Sequence, residues 1–166
     1  MENNTPLVMI TLIQRPKRKL LFLRSKKAYN YWTYCEEAGC EWEELFNSVE
    51  GKFDIAALLE LPQFLQKEGT SPIASGIEIP FDCNRKCPEN FEIMDLDSCE
   101  MLYFQSEPFV CEEDNVIAME YVTKAISKYN PNQYGLEYAP ELAPKFNFGA
   151  QPANGAKQAL PVKRKA

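Results

Sequence analysis

The stretch Cys99-Glu100-Met101-Leu102-Tyr103-Phe104-Gln105-Ser106-Glu107-Pro108-Phe109 constrains the fold more than any other part of this chain. Side chains along a strand alternate between faces, so Met101, Tyr103 and Gln105 share one face and Leu102 and Phe104 the other. Both faces carry bulky residues, as expected of a strand near the middle of a sheet. Pro108 ends it, because proline has no N–H for a ladder. The acidic turn Glu112, Glu113 and Asp114 then opens a helical stretch, where carboxylates meet the positive end of the helix dipole.

A strand feeding a helix occurs twice. In the first half, residues 7–13 form an apolar strand, Arg15-Pro16-Lys17-Arg18 breaks it, and residues 20–23 resume extended structure. Ser25 is a candidate N-cap. Over residues 29–49 the period becomes helical, with Tyr31, Tyr34, Cys35, Ala38, Trp42, Leu45, Phe46 and Val49 on one stripe. Gly39 lies inside this expected helix, and Gly51 suits its C-terminal cap. Residues 53–61 fit either a helix or a strand, and a strand is favoured because Pro62 closes the run; residues 73–79 form a further strand. In the second half, residues 91–96 and 99–107 are strands and residues 112–129 a helix ended by Asn130-Pro131; a loop runs on to Pro144, and strands close the chain at 145–148 and 157–162. Each half therefore reads as broken strand, helix, strand, strand. Two such βαββ units side by side predict an α+β fold: one antiparallel sheet, both helices on one face, and a ligand cleft between them.

Composition narrows the function. The net charge of −6 disfavours nucleic acid as a direct partner, since phosphate binding needs clustered positive charge. Lys17-Arg18-Lys19 and Lys163-Arg164-Lys165 are taken as a turn tip and a solvated tail. No apolar run is long enough to span a membrane. Met1-Glu2-Asn3-Asn4 lacks the basic start of a signal peptide, so a cytoplasmic location is expected. With no histidine, Ser-His-Asp and Cys-His mechanisms are excluded. The six cysteines are expected to be reduced thiols: Cys83 and Cys87 have a spacing found among zinc ligands, but no matching second pair is evident. No metal and no cofactor is expected.

Several words of the sequence, in order, carry a resemblance. They are Tyr34-Cys35-Glu36-Glu37-Ala38-Gly39-Cys40, Gly69-Thr70-Ser71, Gly76-Ile77-Glu78-Ile79-Pro80, Phe91-Glu92-Ile93-Met94-Asp95-Leu96, Phe104-Gln105-Ser106-Glu107-Pro108-Phe109, Tyr129-Asn130-Pro131, and Tyr134-Gly135 with Ala143-Pro144-Lys145-Phe146. Over about residues 9–163 the chain resembles the GyrI-like, or AraC-type effector-binding, domain of SHS2-type architecture. The resemblance implies a single domain over residues 1–166, with pseudo-repeats at about 7–80 and 91–163 and a cleft along the pseudo-twofold. It implies a bacterial sensor module without a DNA-binding domain. Members include ligand-sensing domains of transcription regulators, free-standing binders of amphipathic and often cationic drugs, a gyrase inhibitor, and hydrolases of cyclopropane-containing antibiotics. Many members carry a cleft-facing glutamate in the last strand; Gly155-Ala156-Lys157-Gln158-Ala159-Leu160-Pro161-Val162 puts Gln158 there. An amide keeps hydrogen bonding and loses the charge. Where many members have Val-Trp in the first helix, this chain has Trp42-Glu43.

The candidate ligand-binding residues are Tyr31, Tyr34, Trp42, Tyr103, Gln105, Phe146 and Gln158. For the aromatics the competing reading is core packing; for the two glutamines it is exposed strand positions. Glu43 is either an acid in the cleft or part of a solvated helix face, and Glu107 is expected to shape the turn after its strand. No catalytic residue is assigned. The function expected is binding or sensing of an aromatic, amphipathic, drug-like effector. Hydrolysis of a strained electrophile and a gyrase-inhibitor-like contact with a protein partner are the alternatives.

Overall fold

The computed structural model describes residues 7–166, so Met1-Glu2-Asn3-Asn4 lies outside the described residues. The strands are β1 (Val8–Arg15), β2 (Arg18–Arg24), β3 (Ala57–Glu60), β4 (Ile73–Pro80), β5 (Glu92–Leu96), β6 (Cys99–Ser106), β7 (Leu136–Tyr138), β8 (Lys145–Gln151) and β9 (Gly155–Arg164). The helices are α1 (Tyr31–Ala38), α2 (Trp42–Asn47) and α3 (Asn115–Lys128). All nine strands join one antiparallel sheet in the order β1-β6-β9-β8-β3-β4-β2-β5, with β7 added to the end of β9.

That order is symmetric about the β8–β3 boundary. Moving outwards, β8, β9 and β6 match β3, β4 and β2, and the outermost strands are exchanged: β1 pairs with β6 of the second half, and β5 with β2 of the first. This is the duplicated βαββ α+β fold. The two crossovers, at Pro16-Lys17 and Asp97-Ser98, meet around Arg18. Its Nη1 donates to the Asp97 carbonyl at 2.7 Å, and its Nη2 lies 3.6 Å from Cys99 Sγ. Arg18 is fully buried, and its Nε donates to the Glu78 carboxylate, itself 4 % exposed. Arg15 Nε lies 3.5 Å from the same carboxylate.

The sheet separates two apolar layers. On the helix face, Tyr34, Trp42, Phe46 and Val49 pack on Leu21, Ile77 and Ile79, while Ala118 and Val122 of α3 pack with Leu102, Phe104, Ala156 and Val162. The opposite face carries one longer cluster, including Leu20, Phe22, Leu59, Met101, Tyr103, Phe146 and Phe148, closed over by Leu61, Leu65 and Ala143 from connecting segments.

Several expected elements change. The single helix over residues 29–49 is two helices. Asn30, not Ser25, caps α1, by a reciprocal capping box with Thr33; Ser25 Oγ instead donates to the Ile73 carbonyl at 2.6 Å. Gly39 stops α1 at φ +82°, with its N–H on the Cys35 carbonyl, a conformation open to glycine and costly for residues with a Cβ. The strand expected over residues 53–61 shrinks to β3. The second helix begins at Asn115, after one tighter turn at Glu112–Asp114. The expected loop before Pro144 contains β7.

Candidate ligand cleft

The helices cover the sheet unevenly. α1 and α2 pack over β2 and β4, and α3 over β6, β9 and β8. Between them runs a strip of β3 and β8 whose helix-face residues Leu58, Lys145 and Asn147 are half-buried and whose Glu60 is exposed. Register places a row of helix-face side chains straight across this strip: Ser75, Leu58, Asn147, Gln158 and Phe104 are successive partners from β4 to β6. Ser75 and Gln158 hold equivalent places in the two halves. The Tyr34 hydroxyl of α1 donates to the Leu23 carbonyl at 2.8 Å and sits 2.6 Å from Ser75 Oγ. Gln158 Nε2 donates to Thr123 Oγ1 of α3 at 3.4 Å. Each helical layer is thus tied to its side of the strip by one polar contact.

The break after Gly39 gathers an aromatic cluster. Trp42 meets Tyr34 edge-on at 5.6 Å between centroids and Tyr31 at 6.2 Å, and Tyr31 meets Trp32 at 5.2 Å. Trp42 is 95 % buried (5 % exposed), yet its Nε1 has no hydrogen-bond partner among the described residues. Trp32 is 73 % exposed. The Tyr31 hydroxyl donates to Glu43 Oε1 at 2.9 Å, so Glu43 brings a carboxylate to this cluster. Burial first, and then the bond to Glu43, pushes the Tyr31 hydroxyl upward. Burial pushes Tyr34 up to about 12.

The seven candidate residues do not gather in one place. Tyr31, Tyr34, Trp42 and Gln158 belong to the helix face. Tyr103, Gln105 and Phe146 lie on the other face, because Tyr103 and Phe146 both pair with Ala159 and Gln158 pairs with Phe104 and Asn147. A pocket over Tyr103 and Gln158 together is therefore ruled out by the pleat. Tyr103 stacks on Phe148 at 5.9 Å, Phe148 on Phe146 at 5.7 Å, and Arg15 Nη2 donates to the Tyr103 hydroxyl at 2.6 Å. Gln105 Nε2 donates to the Asn154 carbonyl at 2.7 Å, on the wall of a cavity of about 260 Å³ shared with Phe148, Asp54 and Lys157. That cavity is filled on one side by the Lys157–Asp54 ion pair at 2.8 Å. Glu107, expected to shape a turn, accepts the Leu7 N–H at 3.1 Å. Sequence reasoning missed Trp32, Ser75, Thr123 and Asn147. Trp32 follows Tyr31, the first residue of the apolar stripe, and so falls off that stripe, and the other three acquire their place only from register.

Among the described residues, no group of three or more potential ligand side chains is placed to hold a metal ion, all six cysteines are free, and no helix is long and apolar enough to cross a membrane.

No family model and no curated protein matches this sequence. Solved structures do match in fold. SAV2435 bound to tetraphenylphosphonium aligns with TM-score 0.53 and 18 % identity, over 93 % of this chain and 94 % of that one. A candidate transcription regulation protein from Staphylococcus aureus MU50 aligns with TM-score 0.51 and 17 % identity, over 93 % and 98 %. EcmrR, in an EcmrR–DNA complex, aligns with TM-score 0.51 and 11 % identity, over 96 % of this chain and 59 % of that one. The protein has the GyrI-like fold: two βαββ units in one antiparallel sheet, with the helices on one face.

Proposed function

We propose that this protein binds a flat, amphipathic aromatic small molecule in the strip between α1–α2 and α3, as an effector-binding module of the GyrI-like, AraC-associated kind working in the reducing cytosol. The observation that carries the proposal is the cluster at the α1–α2 break. Four aromatic rings meet there, one indole N–H is buried without a partner, and a carboxylate stands beside them. Buried donors are ordinarily satisfied, so a ligand acceptor at Trp42 Nε1 would complete the site. Exposed Trp32 and Tyr31 offer ring faces to a planar ligand. Further support comes from SAV2435, of the same fold, which was solved with an aromatic cation. In this chain Glu43 supplies the negative charge, while Gln158 offers a neutral amide to the ligand's polar edge.

Tetraphenylphosphonium, a rhodamine and a neutral isostere of the dye, titrated by tryptophan fluorescence, test the proposal. Binding of at least one should quench Trp32 or Trp42. Glu43→Gln should weaken the cations alone, and Trp42→Phe should weaken compounds that present an acceptor. Recovery of the bound compound unchanged separates binding from hydrolysis. Absence of binding by all three, or binding untouched by both substitutions, overturns the proposal.

A further inference from the structure

The two edges of the sheet differ. β5 is five residues long and carries Glu92 and Asp95, the charged blunting expected of a protected edge. β1 is eight residues long and uncharged from Val8 to Gln14, and Leu7, Met9, Ile10 and Leu12 are exposed along it, Leu7 and Met9 by more than 60 %. Its pairing with β6 is regular from Val8↔Ser106 to Arg15↔Cys99, with no bulge to twist the edge away. Among the described residues, β1 has no neighbour on its outer side.

The ladder fixes which groups point outward. The Glu107 N–H donates to the Leu7 carbonyl at 3.0 Å, so position 7 is a hydrogen-bonded pair with the extension of β6. Such pairs alternate in an antiparallel ladder. Met9, Thr11, Ile13 and Arg15 therefore spend their backbone groups on β6. Val8, Ile10, Leu12 and Gln14 turn theirs to the outside.

We propose that β1 is a dimerisation edge, occupied by β1 of a second copy of this chain in antiparallel register with the twofold axis at Thr11. This register follows from the outward groups. It makes Val8↔Gln14 and Ile10↔Leu12 the hydrogen-bonded pairs, uses all four outward N–H and all four outward C=O groups of each strand, and leaves Thr11 facing Thr11 of its twin at a close, non-hydrogen-bonded position. Every pair keeps its facing: Ile10 meets Leu12 on the helix face and Met9 meets Ile13 on the other. No like charges are brought together between Val8 and Gln14, although each copy carries a net charge of −6, so the uncharged strand is the natural seam for self-association. α3 packs over β1 and carries the exposed apolar side chains Val116 and Ile117. A stable interface buries about 1,200–2,000 Å² in total. A single strand pair with these flanks sits at or below the low end, so dissociation in about the micromolar range is expected.

Sedimentation equilibrium of the full chain under reducing conditions, from about 1 to 200 µM, should show a monomer–dimer equilibrium. Ile10→Lys should raise the dissociation constant about 100-fold, since the twofold puts two lysines at the seam. Thr11→Cys should form an intermolecular disulfide on exposure to oxidised glutathione, because a non-hydrogen-bonded pair brings Cα atoms within about 4.5 Å. Gln14→Cys, whose partner would be Val8, should cross-link no more than the wild type. A wild-type protein monomeric up to 200 µM overturns the proposal. So does a dimer indifferent to Ile10→Lys, or cross-linking equal for the Thr11 and Gln14 variants. Circular dichroism checks that Ile10→Lys is folded; if it is not, the cysteine pair decides.

Discussion

Glu78 is the anion on which the crossing of the two halves depends. Its carboxylate is 4 % exposed, accepts the Nε–H of Arg18, which is fully buried, and lies 3.5 Å from Arg15 Nε. Glu78→Gln keeps the volume and removes the charge. Arg18 would retain the Asp97 carbonyl but lose its counter-ion in a site without bulk water. Breaking a buried pair by neutralising one member costs about 3–5 kcal/mol, mostly as the penalty on the stranded charge. For a chain of this size each kcal/mol moves Tm by about 2–4 °C, so a fall of about 6–20 °C is expected by calorimetry, with a matching drop in urea midpoint at unchanged m-value. Adding Arg18→Met removes the stranded cation and should restore part of the loss. Lys163→Ala, which touches only solvent-exposed carboxylates, should leave Tm unchanged. A Glu78→Gln loss below about 1 kcal/mol would refute the reasoning, since it would mean that water already screens the pair.

Other outcomes follow from local geometry. Gly155 and Gly149 share φ +74°, but a Cβ at Gly155 would lie 2.2 Å from the Ser106 carbonyl oxygen, whereas one at Gly149 would meet open space; Gly155→Ala should cost at least about 3 kcal/mol and Gly149→Ala about 1, compared by urea unfolding. Tyr34 and Tyr103 are both pushed up to about 12 by burial. The unfolded chain loses these protons near pH 10 while the folded chain keeps them, so stability present below pH 10 should fall as pH rises from 10 to 12, by about 2–3 kcal/mol per tyrosine. Tyr103→Phe should flatten that decline, and a pH-independent urea midpoint across the window would contradict it. Trp42→Phe should cost less stability than its burial suggests, because the indole N–H it removes has no partner to lose. Loss of more than about 3 kcal/mol on thermal melting would indicate a contact not accounted for.

The strand–helix rhythm was legible in the sequence because β6 is long, two-sided and ended by Pro108, and because α3 carries an unbroken apolar stripe. The break at Gly39 was harder to see: the stripe from Tyr31 to Val49 keeps helical spacing across it, and only the positive φ shows that the chain turns there. β7, at three residues, is shorter than any pattern can declare. The exchange of β1 and β5 between halves is also invisible to periodicity, since it depends on which strand each edge finds after its crossover.

The candidate site shows the same limit more sharply. Alternation within 99–107 placed Tyr103 and Gln105 together and opposite Phe104, as found. Which of those faces Gln158 shares depends on a pairing between strands far apart in sequence, and an offset of one residue moves it through the sheet. Ser75 became a partner of Tyr34 by the same kind of long-range register, which no local word of the sequence encodes.

The central claim is that the ligand sits on the helix face, beside Gln158 and away from Tyr103. Gln158→Glu tests it most directly, with one cationic aromatic dye and one neutral isostere titrated against wild type and variant. Gln158 is 7 % exposed and 3.4 Å from Thr123 Oγ1. A carboxylate there should tighten the cation by about 1–3 kcal/mol through a charge-assisted, partly buried contact and leave the neutral compound as it was, while Tyr103→Phe changes neither affinity. Equal affinities of both dyes for wild type and Gln158→Glu, or a loss of binding on Tyr103→Phe alone, would place the ligand elsewhere and contradict the account.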